Sequence, residues 1–143
     1  MSLIPRPLVR FGARVVHRIR RRRSTAGVHA VPITPQGRVV LVRLTYAEGW
    51  RLPGGGRERG ESELDGTLRE LREEIGLSTY VSAERLEDSL GSALFLLRGI
   101  EYTPRRTWEV EEVREFDAST LEGAAGWTVA VIERYRERIE AGG

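Results

Sequence analysis

Residues 54–77 read GGGRERGESELDGTLRELREEIGL, and this stretch decides the fold more than any other part of the chain. Ser62 can cap a helix, because its hydroxyl can accept a hydrogen bond from the backbone N–H three residues later. Gly76 suits the left-handed position that follows the last turn of a helix. The pattern therefore predicts a glycine-rich loop followed by a helix from Ser62 to about Ile75. The predicted buried stripe of this helix consists of Leu64, Leu68, Leu71 and Ile75.

The predicted helix contains three glutamates, of which Glu73 and Glu74 follow Glu70 by three and four residues. At about 100° per residue their side chains emerge on one face, away from the leucine stripe. Like charges so placed destabilise a helix by roughly 0.2–0.5 kcal/mol per pair, a cost that a bound divalent cation would reverse. The spacing alone is equally typical of a solvated, charge-rich surface, but the preceding glycine loop exposes backbone groups nearby and favours a site.

Other glycine-based nucleotide motifs do not fit this stretch. A P-loop continues with lysine and serine or threonine after its last glycine, whereas Glu61 follows Gly60. The dinucleotide fingerprint requires a third glycine where Arg59 stands. The chain has no cysteine, which excludes disulfides, thiolate metal sites and a thiol nucleophile. His17 and His29 belong to no metal or catalytic motif, and we expect both to be incidental.

The same stretch resembles the signature of the Nudix hydrolases, G-x5-E-x7-R-E-U-x-E-E-x-G-U, in which U is an aliphatic residue. The fixed positions are all present, as Gly55, Glu61, Arg69, Glu70, Leu71, Glu73, Glu74, Gly76 and Leu77. A chance match at every one of them is on the order of 10⁻¹⁰ per starting point. One departure is Gly66, where the family usually has alanine, and the missing methyl group is expected to leave room beside the metals.

The resemblance covers roughly residues 26–140 and implies an α/β fold, the Nudix α/β/α sandwich with a mixed β-sheet. It implies a site for Mg²⁺ or Mn²⁺, cations that prefer hard oxygen ligands. The implied metal ligands are Glu70, Glu73, Glu74 and the backbone carbonyl of Gly54. Glu61 and Arg69 match positions that orient this cluster. The implied reaction is hydrolysis of a diphosphate linkage in a nucleoside diphosphate derivative by metal-activated water.

The general base and the substrate contacts stay open at this level. Glu70 is favoured as the base over Glu74, but the family also uses acids from later strands, so Glu109, Glu111 and Glu112 are further candidates. Side chains that could contact substrate, although packing explains them at least as well, are Tyr46, Trp50, Arg51, Tyr102, Trp108, Glu111 and Glu112. Nucleotide sugars, nucleoside triphosphates, dinucleoside polyphosphates and RNA 5′ ends are all candidate substrates. A nucleotide-binding or regulatory module without activity is an alternative, for which a damaged signature would be expected. Here the signature of residues 55–77, called the Nudix box below, is complete.

The remaining patterns predict strands and one further helix. Runs rich in β-branched residues at 28–34 and 38–44, joined by a turn at 35–37, indicate a hairpin. A short strand is expected at 50–52, after a loop at 46–49. Further strands are expected near 80–86, 92–102 and 108–116, followed by a long helix over 119–140.

Charge is unevenly distributed along the 143 residues, whose formal net charge is +2. Residues 1–47 hold ten arginines and no acid. Within residues 1–23, apolar side chains at helical spacing predict a basic amphipathic arm, which precedes a hydrolase domain of residues 24–143. The apolar stripe of the arm could pack on the domain or on a second subunit in a homodimer. Contact of the arm with nucleic acid or an anionic membrane is the alternative.

Hydropathy and composition predict where the protein resides. With 40% hydrophobic and 31% charged residues, the chain resembles a globular domain. No stretch approaches the roughly 20 apolar residues of a membrane span. The arginines at 20–23 follow the apolar positions of the arm, whereas a secretory signal would place its charges before them. We therefore expect a cytoplasmic protein.

Overall fold

A mixed seven-stranded sheet is the central element of the computed structural model, which describes residues 27–86 and 91–142. The strands are β1 (Gly27–Ile33), β2 (Val39–Leu44), β3 (Trp50–Arg51), β4 (Gly54–Gly56), β5 (Leu77–Thr79), β6 (Ser82–Leu86), β7 (Ala93–Arg98), β8 (Glu101–Tyr102) and β9 (Val110–Phe116). The helices are α1 (Glu63–Ile75), α2 (Gly126–Arg134) and α3 (Arg136–Ala141). The predicted basic arm lies outside the described residues.

The predicted hairpin holds at its turn, where Ile33 pairs with Val39 and Gly37 adopts a φ of 81°. Beyond the turn β1 and β2 separate, and two short strands pair with the edges that they leave open. β3 pairs with β2, and β4 pairs with β1. On their outer edges, β1 runs parallel to β7, and β2 runs antiparallel to β9. This splaying places the glycine strand β4 directly beside the start of β1.

Two apolar layers pack against opposite faces of the sheet and confirm the predicted α/β/α sandwich. Side chains of successive strand residues point to opposite faces, so Leu41 belongs to one core cluster and Val40 to the other. α2 and α3 contribute buried residues such as Ile132 to the first cluster. α1 contributes Leu71 and Ile75 to the second. Because both faces are covered, the strand run VVLV is apolar throughout.

The strand predicted over 92–102 is two strands. β7 ends at Arg98, and Gly99 turns the chain with a φ of 63°. β8 then leaves the main sheet and pairs with β5 in a separate two-stranded sheet. The strands predicted at 80–86 and 108–116 begin later than expected, at Ser82 and Val110 respectively.

The long helix predicted over 119–140 is also wrong in its bounds. It begins at Gly126 and is interrupted at Tyr135, which has a φ of −107°. The preceding segment is tied to β3 instead, because Trp50 N–H donates to the Gly123 carbonyl and Ala125 N–H donates to the Trp50 carbonyl, both within 2.9 Å. These hydrogen bonds, together with a turn in which Gly123 adopts a φ of 81°, take the segment out of a helical path. Within the described ranges, no helix has the length and apolar character to cross a membrane.

Candidate active site

The helix α1 carries the predicted glutamates and is fixed at both ends by local interactions. Ser62 Oγ accepts a hydrogen bond from Asp65 N–H at 3.0 Å. Gly76 ends the helix in the left-handed conformation, with a φ of 73°. Both predicted caps are therefore confirmed. The apolar stripe is confirmed in part, since Leu64 and Leu68 are only half-buried at the margin of the core cluster beneath α1.

The glutamates of α1 differ sharply in burial. Glu70 is 1% exposed and Glu74 is 3% exposed, whereas the Glu73 side chain is 26% exposed. Glu74 Oε1 accepts a hydrogen bond from the backbone N–H of Gly54 at 2.8 Å, which joins the helix to β4. Only glycine fits at that point of β4, because a Cβ on Gly54 would overlap the carbonyl oxygen of Val28. The burial of two carboxylates shows that this face of α1 is turned into the protein.

Arg69 connects the glycine loop to two of the glutamates. Its guanidinium donates two hydrogen bonds to Glu61, at 2.8 and 2.9 Å, and one to the Gly56 carbonyl at 2.9 Å. A further hydrogen bond reaches Glu70 at 3.1 Å, and Glu73 lies 3.6 Å away. The hydrogen bonds to Glu61 raise the pKa of Arg69 above its ordinary value, although burial opposes them. Arg69 is therefore a permanent cation within the carboxylate cluster.

Glu61 occupies the space that we expected to be open beside Gly66. A Cβ at Gly66 would lie 3.0 Å from Glu61 Oε1 and 3.2 Å from the Cγ of Arg57. Glu61 Oε1 also accepts a hydrogen bond from the backbone N–H of Glu58 at 2.8 Å. The missing methyl group thus lets the glycine loop approach α1 closely, and the expectation of free room beside the metals is wrong.

The donor chemistry of this cluster fits a hard divalent cation, since the available groups are carboxylate and carbonyl oxygens. Within residues 27–86 and 91–142, however, no group of three or more histidine, aspartate or glutamate side chains is arranged to hold a metal ion. Each carboxylate already has a partner within the protein: Arg69 engages Glu70 and Glu73, and the Gly54 N–H engages Glu74.

A cavity of about 370 Å³ opens beside Glu74. It is lined by Gly27, His29, Leu44, Tyr46, Ala47, Arg51, Leu52, Gly54, Gly55, Glu74, Trp127 and Thr128. Its volume lies in the range of small-molecule sites, which are concave and mostly apolar with a few polar groups. The cavity therefore places an aromatic, partly apolar space against the end of the carboxylate cluster.

His29 and Trp127 line this cavity, and the sequence did not indicate either of them. The two rings meet edge to face, with centroids 4.9 Å apart. His29 Nδ1 also lies 2.8 Å from Ser92 Oγ, which fixes the plane of the imidazole. His29, which we expected to be incidental, thus lies in the cavity wall. No sequence signal marks them: the alternation of half-buried Gly27 and His29 with buried residues along β1 is visible only in the fold.

Of the predicted substrate contacts, Tyr46 and Arg51 lie in the cavity wall. Arg51 is held there by two hydrogen bonds from its guanidinium to the carbonyl oxygen of Glu48. Trp50 does not line the cavity. It is 5% exposed and packs edge to face on Phe116, with centroids 5.2 Å apart. Alternation along β3 explains the difference, because neighbouring side chains point to opposite sides.

The remaining candidates lie elsewhere on the fold, outside the cavity wall. Glu111 and Glu112 form ion pairs with Arg43 on the surface of β9, at 3.5 and 2.9 Å. Tyr102 donates a hydrogen bond to Glu115, and its burial raises the pKa of the phenol above its ordinary value. The structure brings neither group to the cavity. Two further candidates also lie outside the cavity wall: Glu109, which is buried, and Trp108, which is exposed.

Comparison with known proteins identifies a family and a fold. The model of the NUDIX domain matches residues 23–133. A putative Nudix hydrolase from Listeria monocytogenes superposes with a TM-score of 0.67 at 17% identity, over 82% of this chain and 95% of its own. At this identity the likeness shows the fold alone, and it agrees with the α/β/α sandwich described above.

Two relatives in sequence are enzymes named for RNA substrates. The RNA pyrophosphohydrolase of Ruthia magnifica is 47% identical over 53 residues, which is 37% of this chain and 30% of the relative. The m7GpppN-mRNA hydrolase of Saccharomyces cerevisiae is 28% identical over 90 residues, which is 56% of this chain and 9% of the relative. The chain thus matches less than a third of the length of either relative.

Proposed function

This chain belongs to the NUDIX family, and from that premise we propose that it hydrolyses a diphosphate linkage in a nucleoside diphosphate derivative. One observation carries the proposal: the carboxylate cluster of α1 adjoins a cavity of about 370 Å³ that is lined by two aromatic side chains, Tyr46 and Trp127. Aromatic faces suit a nucleobase, since every base can stack on them. The cavity would hold the nucleoside and bring its diphosphate to the glutamates.

The proposed metal ligands are Glu70, Glu73, Glu74 and the backbone carbonyl of Gly54. NUDIX enzymes generally use divalent metal ions, and we propose Mg²⁺ or Mn²⁺, because all of these donors are oxygens. When bound, such an ion supplies charge neutralisation for the phosphates and a more acidic water.

The chain's own groups hold Glu70 in position and keep it buried. Arg69 and Glu61 hold Glu70 in place through the hydrogen bonds described above. Burial of Glu70 keeps bulk water away from its carboxylate, and we propose that this carboxylate accepts the proton of the attacking water, with Glu74 as the second candidate. Glu111 and Glu112 are weaker candidates, because Arg43 engages both.

Support for the substrate class comes from the cavity and from the relatives. The cavity has room for one nucleoside and reaches Glu74, which suits any of the four candidate classes. The names of the two sequence relatives favour an RNA 5′ end among them. We therefore rank triphosphorylated or capped RNA first, ahead of nucleotide sugars, nucleoside triphosphates and dinucleoside polyphosphates.

A substrate screen with product identification tests the proposal. Each candidate class is incubated with Mg²⁺ or Mn²⁺, and released phosphate, pyrophosphate and mononucleotide are separated by ion-exchange chromatography. We expect cleavage between two phosphates that is abolished by EDTA. Saturable nucleotide binding without cleavage of any class would instead identify a binding module.

A further inference from the structure

A second cleft, of about 460 Å³, lies beside the same helix. It is lined by Arg69, Arg72, Glu73, Arg105, Arg106 and Thr107. Glu73 belongs to this cleft and the next residue, Glu74, belongs to the cavity with the aromatic side chains. The box glutamates therefore stand between the two openings. A substrate bound across them would have one end in each.

Three arginines give the cleft a positive charge that no ion pair within residues 27–86 and 91–142 neutralises. Arg72, Arg105 and Arg106 are exposed, and none forms an ion pair with another residue of the ranges 27–86 and 91–142. Arg69 differs, since Glu61 and Glu70 already bind it. The single acid in the wall, Glu73, leaves an excess of positive charge.

Acidic residues near the cleft are occupied by other arginines. Glu111 and Glu112 line a shallow recess together with Arg105 and Arg106. Both acids form ion pairs with Arg43, and Glu112 also pairs with Arg114 at 2.9 Å. Arg105 and Arg106 consequently remain available to an anion from outside the domain.

We propose that Arg72, Arg105 and Arg106 bind a phosphate group of the substrate that is not itself cleaved. Arginine recognises phosphate through paired, charge-assisted hydrogen bonds, and three guanidiniums around one cleft suit a polyanion. The inference rests on the proposed function, because it places the nucleoside in the cavity and the scissile linkage at the glutamates. The phosphate in the cleft belongs either to a terminal polyphosphate or to the sugar–phosphate backbone of an RNA.

Residue-resolved protection of arginines tests this site without turnover. The full chain is treated with phenylglyoxal in EDTA, alone or with inorganic tripolyphosphate or a short 5′-hydroxyl RNA, and labelling is read by peptide mass spectrometry. Arg134, which is exposed on α2 at the opposite face of the sheet, is the internal reference. Reading single residues keeps the arginines of the N-terminal arm from obscuring the result.

We expect at least one probe to slow labelling of Arg72, Arg105 and Arg106 by severalfold relative to Arg134. Protection by tripolyphosphate alone would assign the cleft to a terminal polyphosphate, and protection by the RNA alone would assign it to the backbone. Equal labelling rates with and without both probes would overturn the anion site. This result does not depend on hydrolysis, so it can fail while the proposed activity holds, or hold while that activity fails.

A matched pair of double variants connects the site to catalysis. Arg105→Gln/Arg106→Gln removes two charges from the cleft, and Arg134→Gln/Arg136→Gln removes two from the opposite face. On the best substrate of the screen, the cleft variant is expected to raise KM by about tenfold with little change in kcat, as lost charge-assisted hydrogen bonds predict. The control is expected to stay within about twofold of the wild type. Equal effects of the two variants would overturn a specific role.

Discussion

Glu73 is the most exposed of the three box glutamates, and it faces the arginine cleft. The isosteric change Glu73→Gln keeps its volume and removes its charge, so a metal ligand is weakened with little effect on packing. We expect metal-dependent turnover to fall at least about a hundredfold, while the free energy of unfolding changes by less than about 0.5 kcal/mol. Turnover assays and urea denaturation measure the two quantities. Glu133→Gln, an exposed change on α2, is the control, and undiminished turnover in Glu73→Gln would remove the assignment.

Arg69 is a positioning residue whose geometry, and not only its charge, matters to the cluster. Lysine keeps the charge but cannot donate to Glu61, Gly56 and Glu70 at once, because it has no planar fork of donors. For Arg69→Lys we expect kcat and Mn²⁺ affinity to fall together by about 10–100-fold. Electron paramagnetic resonance of free Mn²⁺ measures the affinity separately from the rate. Unchanged Mn²⁺ binding with reduced kcat would contradict a positioning role.

Among single residues, the box could be predicted from the sequence and the cavity could not. Spacing along one helix brings Glu70, Glu73 and Glu74 onto adjacent turns, so a local pattern suffices. His29 and Trp127 meet only because the fold brings β1 and the start of α2 together, and no local pattern records that contact. Arg69 had been expected to orient the cluster, but its multiple hydrogen bonds depend on the path of the glycine loop.

Among the elements, α1 depends on glycine at its C-terminal cap. Gly76 has a φ of 73°, and a Cβ there would overlap the carbonyl oxygen of Thr103, which is backbone and cannot move aside. We expect Gly76→Ala to destabilise the protein by more than about 3 kcal/mol, because steric overlap adds to left-handed strain. Urea denaturation followed by far-UV circular dichroism measures this loss.

Gly37→Ala provides the matched control for the cap. Gly37 has a similar φ of 81°, but nothing lies within 4 Å of its added Cβ. Only the left-handed strain of about 1–2 kcal/mol should therefore appear. Equal losses in the two variants would show that contact with Thr103 contributes nothing.

Element bounds were predicted well where local signals mark both ends. Ser62 and Gly76 delimit α1 by their own chemistry, and the prediction matched the structure. The segment before α2 contains a visible helix breaker, Gly123, through which the predicted helix ran. Its pairing with Trp50, a partner far away in sequence, leaves no local signal. Gly99 was a visible break within the 92–102 run, but glycine inside an apolar strand pattern is also compatible with a bulge.

At the scale of the whole molecule, charge separates the arm from the domain. Residues 1–23 hold eight arginines and no acid, so their removal shifts the formal net charge from +2 to −6. For single-stranded nucleic acid, each phosphate contact lowers the logarithm of the binding constant by about 0.7 for every tenfold rise in salt concentration. An arm that contacts RNA should therefore govern the salt dependence of RNA binding, while the cleft and the cavity govern turnover. Homodimerisation through its apolar stripe stays the competing prediction.

Deletion of residues 1–23 separates these predictions. We expect kcat/KM for a free nucleotide to stay within about twofold of that of the full chain. The slope of the RNA binding constant against salt, measured by fluorescence anisotropy, should become shallower by an amount that corresponds to several phosphate contacts. Replacing the four arginines of 20–23 by glutamine in the full chain is the matched variant, since it removes charge but keeps the apolar stripe. If the stripe packs on the domain or on a second subunit, the deletion alone will lower the unfolding temperature or change the oligomeric state. If the charge of the arm is what binds RNA, both variants will weaken RNA binding and neither will lower the unfolding temperature.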